Sequence, residues 1–411
     1  MVQVTTDRDR SCHATHRSPG LRLPLVPFGL GMAFAASLML GYGPSNRDKF
    51  VPSTDVRVVE STDISFTTTA TDPYLEPVDC LELLDSYRKG GISQLRDHTD
   101  KLPYHKSYVR LTNTQIPFYL STSDANVDQL RVGIFTSGGY YEKVMTSTMQ
   151  TILKGASERM NARNRRKRPI MIDVGGNVGW FSMLAASHGA EVFVFEPNVV
   201  NMVRLCESSV LNGWSKSPDP ASNQVHPYLK GASDTHGSQE VMYKIDPGNP
   251  GSFSFSKETA DNYALKFGKA DPLEGRLQLV TLDALAMDQH WLDNDDNTTI
   301  AILKIDVEGL ELKVLSGARK LLMAHKVQYI FLEWKIDQVK NWEAMSTIML
   351  ESGYVLYKFG AGEGPNEVVT TKFSNGKELA IGIESITKER RNVNWENMNV
   401  LFRLAEIKGN V

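Results

Sequence analysis

The sequence predicts an α/β domain built on a doubly wound, mostly parallel sheet across residues 161–405, and three observations carry that prediction. Short apolar runs alternate with helical stripes: Ile170-Met-Ile-Asp-Val174, Glu191-Val-Phe-Val-Phe195, Thr299-Ile-Ala-Ile-Leu-Lys-Ile305 and Gln328-Tyr-Ile-Phe-Leu332. A glycine turn, Gly175-Gly-Asn-Val-Gly179, follows the first run directly and opens a helix. Acids stand at or just past the ends of three runs, as Glu196, Asp306 and Glu333. A β-turn-α-β succession of this kind implies right-handed crossovers between parallel strands. In such a doubly wound sheet the ligand crevice lies outside the carboxyl ends of the strands.

From the amino end, residues 1–22 contain Arg8, Arg10, Arg17 and Arg22, after which Leu23 to Asn46 runs 24 positions without a charge. That run matches the roughly 20 residues a membrane-spanning helix needs. The preceding arginines predict a cytosolic tail over 1–22, a single-pass anchor over 23–46 and a luminal remainder, as in the ER or Golgi. A cleaved signal ending near Ala33-Phe-Ala35-Ala-Ser37, giving a secreted protein, and an organellar transit segment are the alternatives. Pro24 and Pro27 fall in the first turn, where proline is tolerated. Residues 47–77 are rich in Thr and Ser, aperiodic, and read as a polar stem.

Residues 78–160 read as a lead-in packed on the main domain. Leu81, Leu83, Leu84 and Tyr87 are spaced for a short helix, Arg131-Val-Gly-Ile-Phe135 for a strand, and Val144, Met145, Met149, Ile152 and Leu153 for a helical stripe. Within the main domain the helix after the glycine turn stops at Gly189. Leu310, Val314, Ala318, Leu321 and Leu322 share one face of a further helix, and Tyr354–Phe359 with Asn399–Arg403 suit an antiparallel pair.

The 45 Lys and Arg against 48 Asp and Glu leave a net charge of −3, so no nucleic-acid partner is expected. The three cysteines, Cys12, Cys80 and Cys206, form neither a zinc-type cluster nor a disulfide framework, and they leave the redox compartment unread. The basic run Arg163–Arg168 reads as a solvated loop. Asn297-Thr298-Thr299 is a glycosylation sequon, usable only if its loop enters a secretory lumen.

The chemistry concentrates at two strand ends. Gly175, Gly176 and Gly179 permit a tight turn and close approach of a ligand to backbone N–H groups, while Glu196, 23 positions after Asp173, is placed to accept hydrogen bonds from ribose hydroxyls. The order Asp-x-Gly-x-Asn-x-Gly departs from the G-x-G-x-x-G that lays a pyrophosphate on a helix start. An acid at 173 would repel a pyrophosphate but suits the cationic ammonium and sulfonium end of S-adenosylmethionine. At the second strand end, Asp306 and Glu308 are placed to face the acceptor; the alternative for Glu308 and Glu311 is that they are first-turn acids favoured by the helix dipole. Glu333 is either catalytic or a salt-bridge partner.

These segments resemble the FkbM family of S-adenosylmethionine-dependent methyltransferases. The resemblance rests, in order, on Ile172-Asp-Val-Gly-Gly-Asn-Val-Gly179, Phe195-Glu-Pro-Asn198, Leu211-Asn212, Gly231-Ala-Ser-Asp234, Val280-Thr-Leu-Asp-Ala-Leu285, Leu303-Lys-Ile-Asp-Val-Glu-Gly309 with its continuation to Ala318, and Phe331-Leu-Glu333. Gly176 departs from the alanine common in the family. The resemblance implies a class I methyltransferase fold and transfer of a methyl group to a hydroxyl of a sugar, glycan or other small metabolite. It further implies that Asp173, Gly175, Gly176, Asn177 and Gly179 cradle the methionine part of the cofactor, Glu196 the ribose, and Ser233 and Asp234 the adenine edge. Asp306 becomes the best base, with Glu308 and Glu333 beside it. A divalent ion on Asp306 and Glu333 is an alternative without support of its own, and oligomeric state is not legible. The rival readings are an NAD-type oxidoreductase and an inactive adenosine-binding scaffold.

Overall fold

The computed structural model of the chain describes residues 72–89, 107–123, 134, 138–162, 168–215, 223–244, 253–254, 257, 260–261, 264–265, 271–293, 298–334, 339–360, 363–368, 373–391 and 399–405. The anchor run 23–46, the tail before it, the sequon asparagine and Cys12 lie outside these residues. Among the described residues no helix is long and apolar enough to cross a membrane.

The lead-in comprises α1 (Cys80–Arg88), the hairpin β1 (Tyr108–Leu111) and β2 (Tyr119–Thr122), and α2 (Lys143–Ala162). The main domain continues with β3 (Ile170–Val174), α3 (Trp180–Ser187), β4 (Glu191–Phe195), α4 (Val199–Asn212) and β5 (Val225–Tyr228). Four further strands follow: β6 (Gly231–Ala232), β7 (Gln239–Lys244), β8 (Phe253–Ser254) and β9 (Asp271–Val280). The chain then forms α5 (Leu282–Asp288), β10 (Ile300–Ile305), α6 (Glu311–Ser316), α7 (Arg319–Met323) and β11 (Val327–Glu333). It closes with α8 (Val339–Glu351), β12 (Tyr354–Gly360), β13 (Glu363–Val368), α9 (Gly376–Arg391) and β14 (Asn399–Leu404).

Eight strands form the central sheet in the order β13-β12-β14-β11-β10-β3-β4-β5. Strands β11, β10, β3, β4 and β5 are mutually parallel, and β14 enters antiparallel between β11 and β12. Every residue of β3 and β10 is buried, the pattern of strands covered on both faces. Side chains alternate between two cores. Ile172, Val174, Leu303 and Ile305 meet α5, α6, α7, α8 and α9 on one face. Met171 and Ile302 meet α2, α3 and α4 on the other.

Three expectations are corrected. Ile134, the one described residue of the stretch 131–135 read as a strand, is helical and buried. The helix read across Leu310–Leu322 is two helices, α6 and α7, split at Gly317-Ala318. A Cβ at Gly317 would overlap the carbonyl of Ser233, and the Asp283 carboxylate caps α7 by accepting the N–H groups of Lys320 (3.0 Å) and Leu321 (2.9 Å). Tertiary packing thus interrupts an unbroken helical stripe. Residues 72–77, assigned to the stem, belong to the packed domain: Leu75 is 4% exposed in the core, the Asp72 carboxylate pairs with His236 at 2.8 Å, and the Val78 N–H bonds the Pro227 carbonyl at 2.6 Å.

A disulfide between Cys80 on α1 and Cys206 on α4 closes a sequence separation of 126 residues and fastens the lead-in to the main domain. Arg204 strengthens the same seam, donating to the Glu207 carboxylate at 2.7 Å and to the Tyr87 hydroxyl at 2.9 Å. Cross-linking so long a loop restricts the unfolded chain, for a stabilisation of about 2–4 kcal/mol. Denaturant unfolding of Cys80→Ser is expected to show that loss. In the parent protein, neither Cys80 nor Cys206 should react with a thiol-alkylating reagent until the chain is both reduced and unfolded.

Candidate active site

Where β3 leads away toward β4 and β5 and β10 leads away toward β11, the strand order reverses, and a crevice opens at the carboxyl ends. A cavity of about 420 Å³ occupies it, within the range of small-molecule sites. Gly175, Gly176, Asn177 and Glu196 line it from β3 and β4, Asp306, Val307, Glu308 and Glu333 from β10 and β11. Tyr141 and Glu142 just before α2, with Trp180 and Phe181 from α3, complete that wall, and Lys230, Gly231 and Ala232 lie beyond β5.

The glycine turn is shaped by crowding. Gly175 sits at φ +80°, and a Cβ there would overlap the carbonyl of Asp306. At Gly176 a Cβ would overlap Val194 Cγ2, a stiff β-branched neighbour, so an alanine at this position requires Val194 to move. Gly179, at φ +92°, precedes α3 and abuts Leu205 without lining the cavity. Four N–H groups of the turn are engaged within the protein. Those of Gly175 and Gly176 both donate to the Phe195 carbonyl (2.9 and 3.1 Å), that of Gly179 to the Gly176 carbonyl, and that of Asn177 to Glu196 Oε2 (2.7 Å).

Asp173 also departs from expectation. Its side chain is fully buried behind the cavity wall, where Oδ2 accepts from the Ser182 hydroxyl at 2.7 Å and Oδ1 lies 3.3 Å from the ammonium of Lys304. The cation facing Asp173 is therefore part of the protein. Lys304 is a cavity-lining residue that the sequence does not single out. It is Asp173's register partner across β3 and β10, lines the cavity, and reaches the Gly175 carbonyl at 3.2 Å and Asp306 Oδ2 at 3.7 Å. Burial alone would pull its ammonium toward neutrality, but Asp173, Asp306 and Glu142 outweigh that and hold it above the ordinary lysine value.

Glu196 lines the cavity with both oxygens engaged, Oε2 by the Asn177 N–H and Oε1 by the Asn198 N–H at 2.8 Å. Burial raises its carboxyl to about 7, although these N–H donors and the Asn201 amide favour the ionised form. After Asp306 the chain turns through Glu308 (φ +54°) and Gly309 (φ +108°). Glu311, read as a dipole-favoured acid, is fully buried, and its Oε1 accepts the N–H groups of Val307 and Gly309 at 3.2 Å each. It shapes the loop that presents Asp306 and Glu308. Burial, with the nearby carboxylates of Glu142, Asp306 and Glu333, holds the Tyr141 hydroxyl well above its ordinary value.

Tyr141, Glu142 and the aromatic pair Trp180 and Phe181 escaped sequence reading, because nothing local separates them from ordinary core positions. Ser233 and Asp234 lie off the cavity: Ser233 is buried, donating to the Asp234 carboxylate at 3.0 Å, and Asp234 is exposed. Among the described residues no group of three His, Cys, Asp or Glu side chains is arranged to hold a metal ion.

Strand order, crevice and acid-ended strands define a Rossmann-like α/β domain with a small-molecule site. Residues 173–356 match the family model described as the methyltransferase FkbM domain. A crystal structure of an S-adenosylmethionine-dependent methyltransferase from Agrobacterium tumefaciens is similar at 14% identity, over 75% of this chain and 72% of that one, with a TM-score of 0.31. A comparison with curated proteins finds no match.

Gly175 and Gly189 separate backbone strain from crowding. Both have φ near +80°, but nothing lies within 4 Å of a Cβ at Gly189. Gly189→Ala is expected to cost about 1 kcal/mol from the left-handed backbone. Gly175→Ala should cost about 4 kcal/mol or more, because the Asp306 backbone has to move as well. Denaturant titration of the two variants side by side measures the difference.

Proposed function

We propose that this chain is an S-adenosylmethionine-dependent methyltransferase that methylates a hydroxyl oxygen of a sugar, glycan or other small metabolite. The observation that carries the reading is the charge of the crevice. Among its described lining residues five are carboxylates, Glu142, Glu196, Asp306, Glu308 and Glu333, against two lysines, Lys230 and Lys304. Both ammoniums already face protein oxygens: Lys230 bonds the Tyr74 carbonyl, and Lys304 meets Asp173, Asp306 and the turn. Such a crevice favours a cationic ligand over a pyrophosphate. The turn's engaged N–H groups argue in the same direction against a dinucleotide.

The lining fits the cofactor, which supplies an electrophilic methyl group on a sulfonium when bound. Glu196 would accept hydrogen bonds from the ribose hydroxyls through the lone pairs its backbone donors leave. Asp306, with Glu308 and Glu333 alongside, would take the proton of the acceptor hydroxyl. In that role the Asp306 carboxyl would end protonated, which balances transfer of a methyl group from the sulfonium, left as a neutral thioether, to the acceptor oxygen. Holding the two reactants in line supplies most of the acceleration.

The same proposal places the domain in an oxidising lumen, tethered by residues 23–46. The uncharged run supports the tether, and the Cys80–Cys206 disulfide supports a compartment in which disulfides persist.

The primary test incubates the full chain with methyl-labelled S-adenosylmethionine and a panel of glycans, lipids and metabolites, alongside calorimetry with S-adenosylhomocysteine and NAD. Transfer of label to a hydroxyl bears the proposal out, and tight binding of NAD overturns it. Asp306→Asn should keep S-adenosylhomocysteine affinity within a few fold while transfer falls by about 10²-fold.

Glu196 sets a pH dependence. Ribose hydroxyls donate to the ionised carboxylate, so cofactor affinity should rise with pH through about 7 and flatten above it. The linked effect on stability has the opposite sense. With its folded value above the ordinary 4.5, ionisation of Glu196 costs stability as pH rises from 4.5 to about 7. Calorimetric titrations between pH 6 and 8 should show the slope in the parent and none in Glu196→Gln.

A further inference from the structure

We propose that Lys304 is a positioning residue for methyl transfer, bracing the Asp306 carboxylate against the glycine turn and Asp173 so that it faces the acceptor hydroxyl beside the transferring methyl; this rests on the methyltransferase reading above. The geometry is specific. Lys304 is 3% exposed, and its ammonium donates a hydrogen bond to the Gly175 carbonyl and pairs by charge with two carboxylates. Three oxygens from three separate segments surround it: Asp173 Oδ1 on β3 at 3.3 Å, the Gly175 carbonyl of the turn at 3.2 Å, and Asp306 Oδ2 after β10 at 3.7 Å.

Each neighbour is itself fixed. The Ser182 hydroxyl holds the other oxygen of Asp173, the Gly175 backbone is pressed against the Asp306 carbonyl, and the Asp306 N–H bonds the Val174 carbonyl at 3.0 Å. The Phe181 ring covers the ammonium with its centroid at 5.6 Å. Backbone contacts therefore fix the main chain of Asp306, while its side chain, 32% exposed toward the cavity, can still rotate. The ammonium supplies the restraint on that rotation. A lysine needed only to balance Asp173 would be satisfied by the cross-strand pair. This one also spans the cofactor-side turn and the acceptor-side carboxylate, the two groups whose separation sets an in-line reaction.

The test needs no acceptor. In sinefungin a protonated amine stands where S-adenosylmethionine carries the reactive methyl, so its affinity relative to S-adenosylhomocysteine reports whether a carboxylate is aimed there. Calorimetry on the full chain should show a sinefungin preference of about tenfold or more, the worth of one charge-assisted contact, lost in Asp306→Asn. Lys304→Met strands a buried carboxylate and is expected to be unstable. The double variant Asp173→Asn/Lys304→Met removes both charges and should melt close to the parent. It is expected to bind S-adenosylhomocysteine within about fivefold of the parent and to lose the sinefungin preference.

A double variant that keeps the preference reduces Lys304 to charge balance and overturns the proposal. So does a double variant that fails to fold, which makes the lysine structural, or a parent with no preference. A parent that binds neither ligand overturns the methyltransferase reading itself.

Discussion

The buried pairing of Lys304 with Asp173 is the constraint on which the site depends. The two residues are register partners on adjacent parallel strands, on the sheet face that carries Met171 and Ile302, at the point where the strand order reverses. Two charges this deep are costly apart and tolerable together. The pair therefore ties β3 to β10 at one register, because a one-residue slip would send one charge to the opposite apolar core. Everything that lines the crevice hangs from these two strand ends.

From that join the site extends in two directions. Toward β4, the Phe195 carbonyl and the Glu196 carboxylate take up the N–H groups of Gly175, Gly176 and Asn177, so the turn and Glu196 hold each other in place. Toward β11, Glu311 folds the loop after β10 by accepting two of its N–H groups, which leaves Asp306 and Glu308 facing the cavity. The crevice is thus a network in which the acids facing the cavity are positioned by groups that do not. Its surplus of carboxylates over ammoniums is what distinguishes it chemically from a phosphate cradle.

The lead-in is part of the same machine. Alpha-helix α2 covers one face of the sheet, and the residues just before it, Tyr141 and Glu142, enter the cavity wall. The disulfide and the Arg204 seam anchor α1 to α4, and the strap around Leu75 and Asp72 holds the segment that bears Lys230 and His236. The lead-in segments therefore both stabilise the domain and complete its site.

The sequence by itself determined the alternation of strands and helices, the glycine turn, and the acids Glu196, Asp306, Glu308 and Glu333 at the cavity. Strand periodicity and position at strand ends are local properties, and they place a residue on the crevice side before any packing is known. Only the tertiary structure decided which of the chain's other acids stay out of the cavity. Asp173 looks like a ligand-facing carboxylate until the register of β10 brings Lys304 beside it. Glu311 looks like a solvated first-turn acid until the loop folds onto it, and the stripe at Leu310–Leu322 looks like one helix until Gly317 packs against Ser233. Tyr141 and Glu142, the Cys80–Cys206 disulfide and the sheet of β6, β9, β7 and β8 were illegible for the same physical reason. Each is defined by a partner far away in the chain, and the pairing of distant residues is fixed by the packing of the whole sheet.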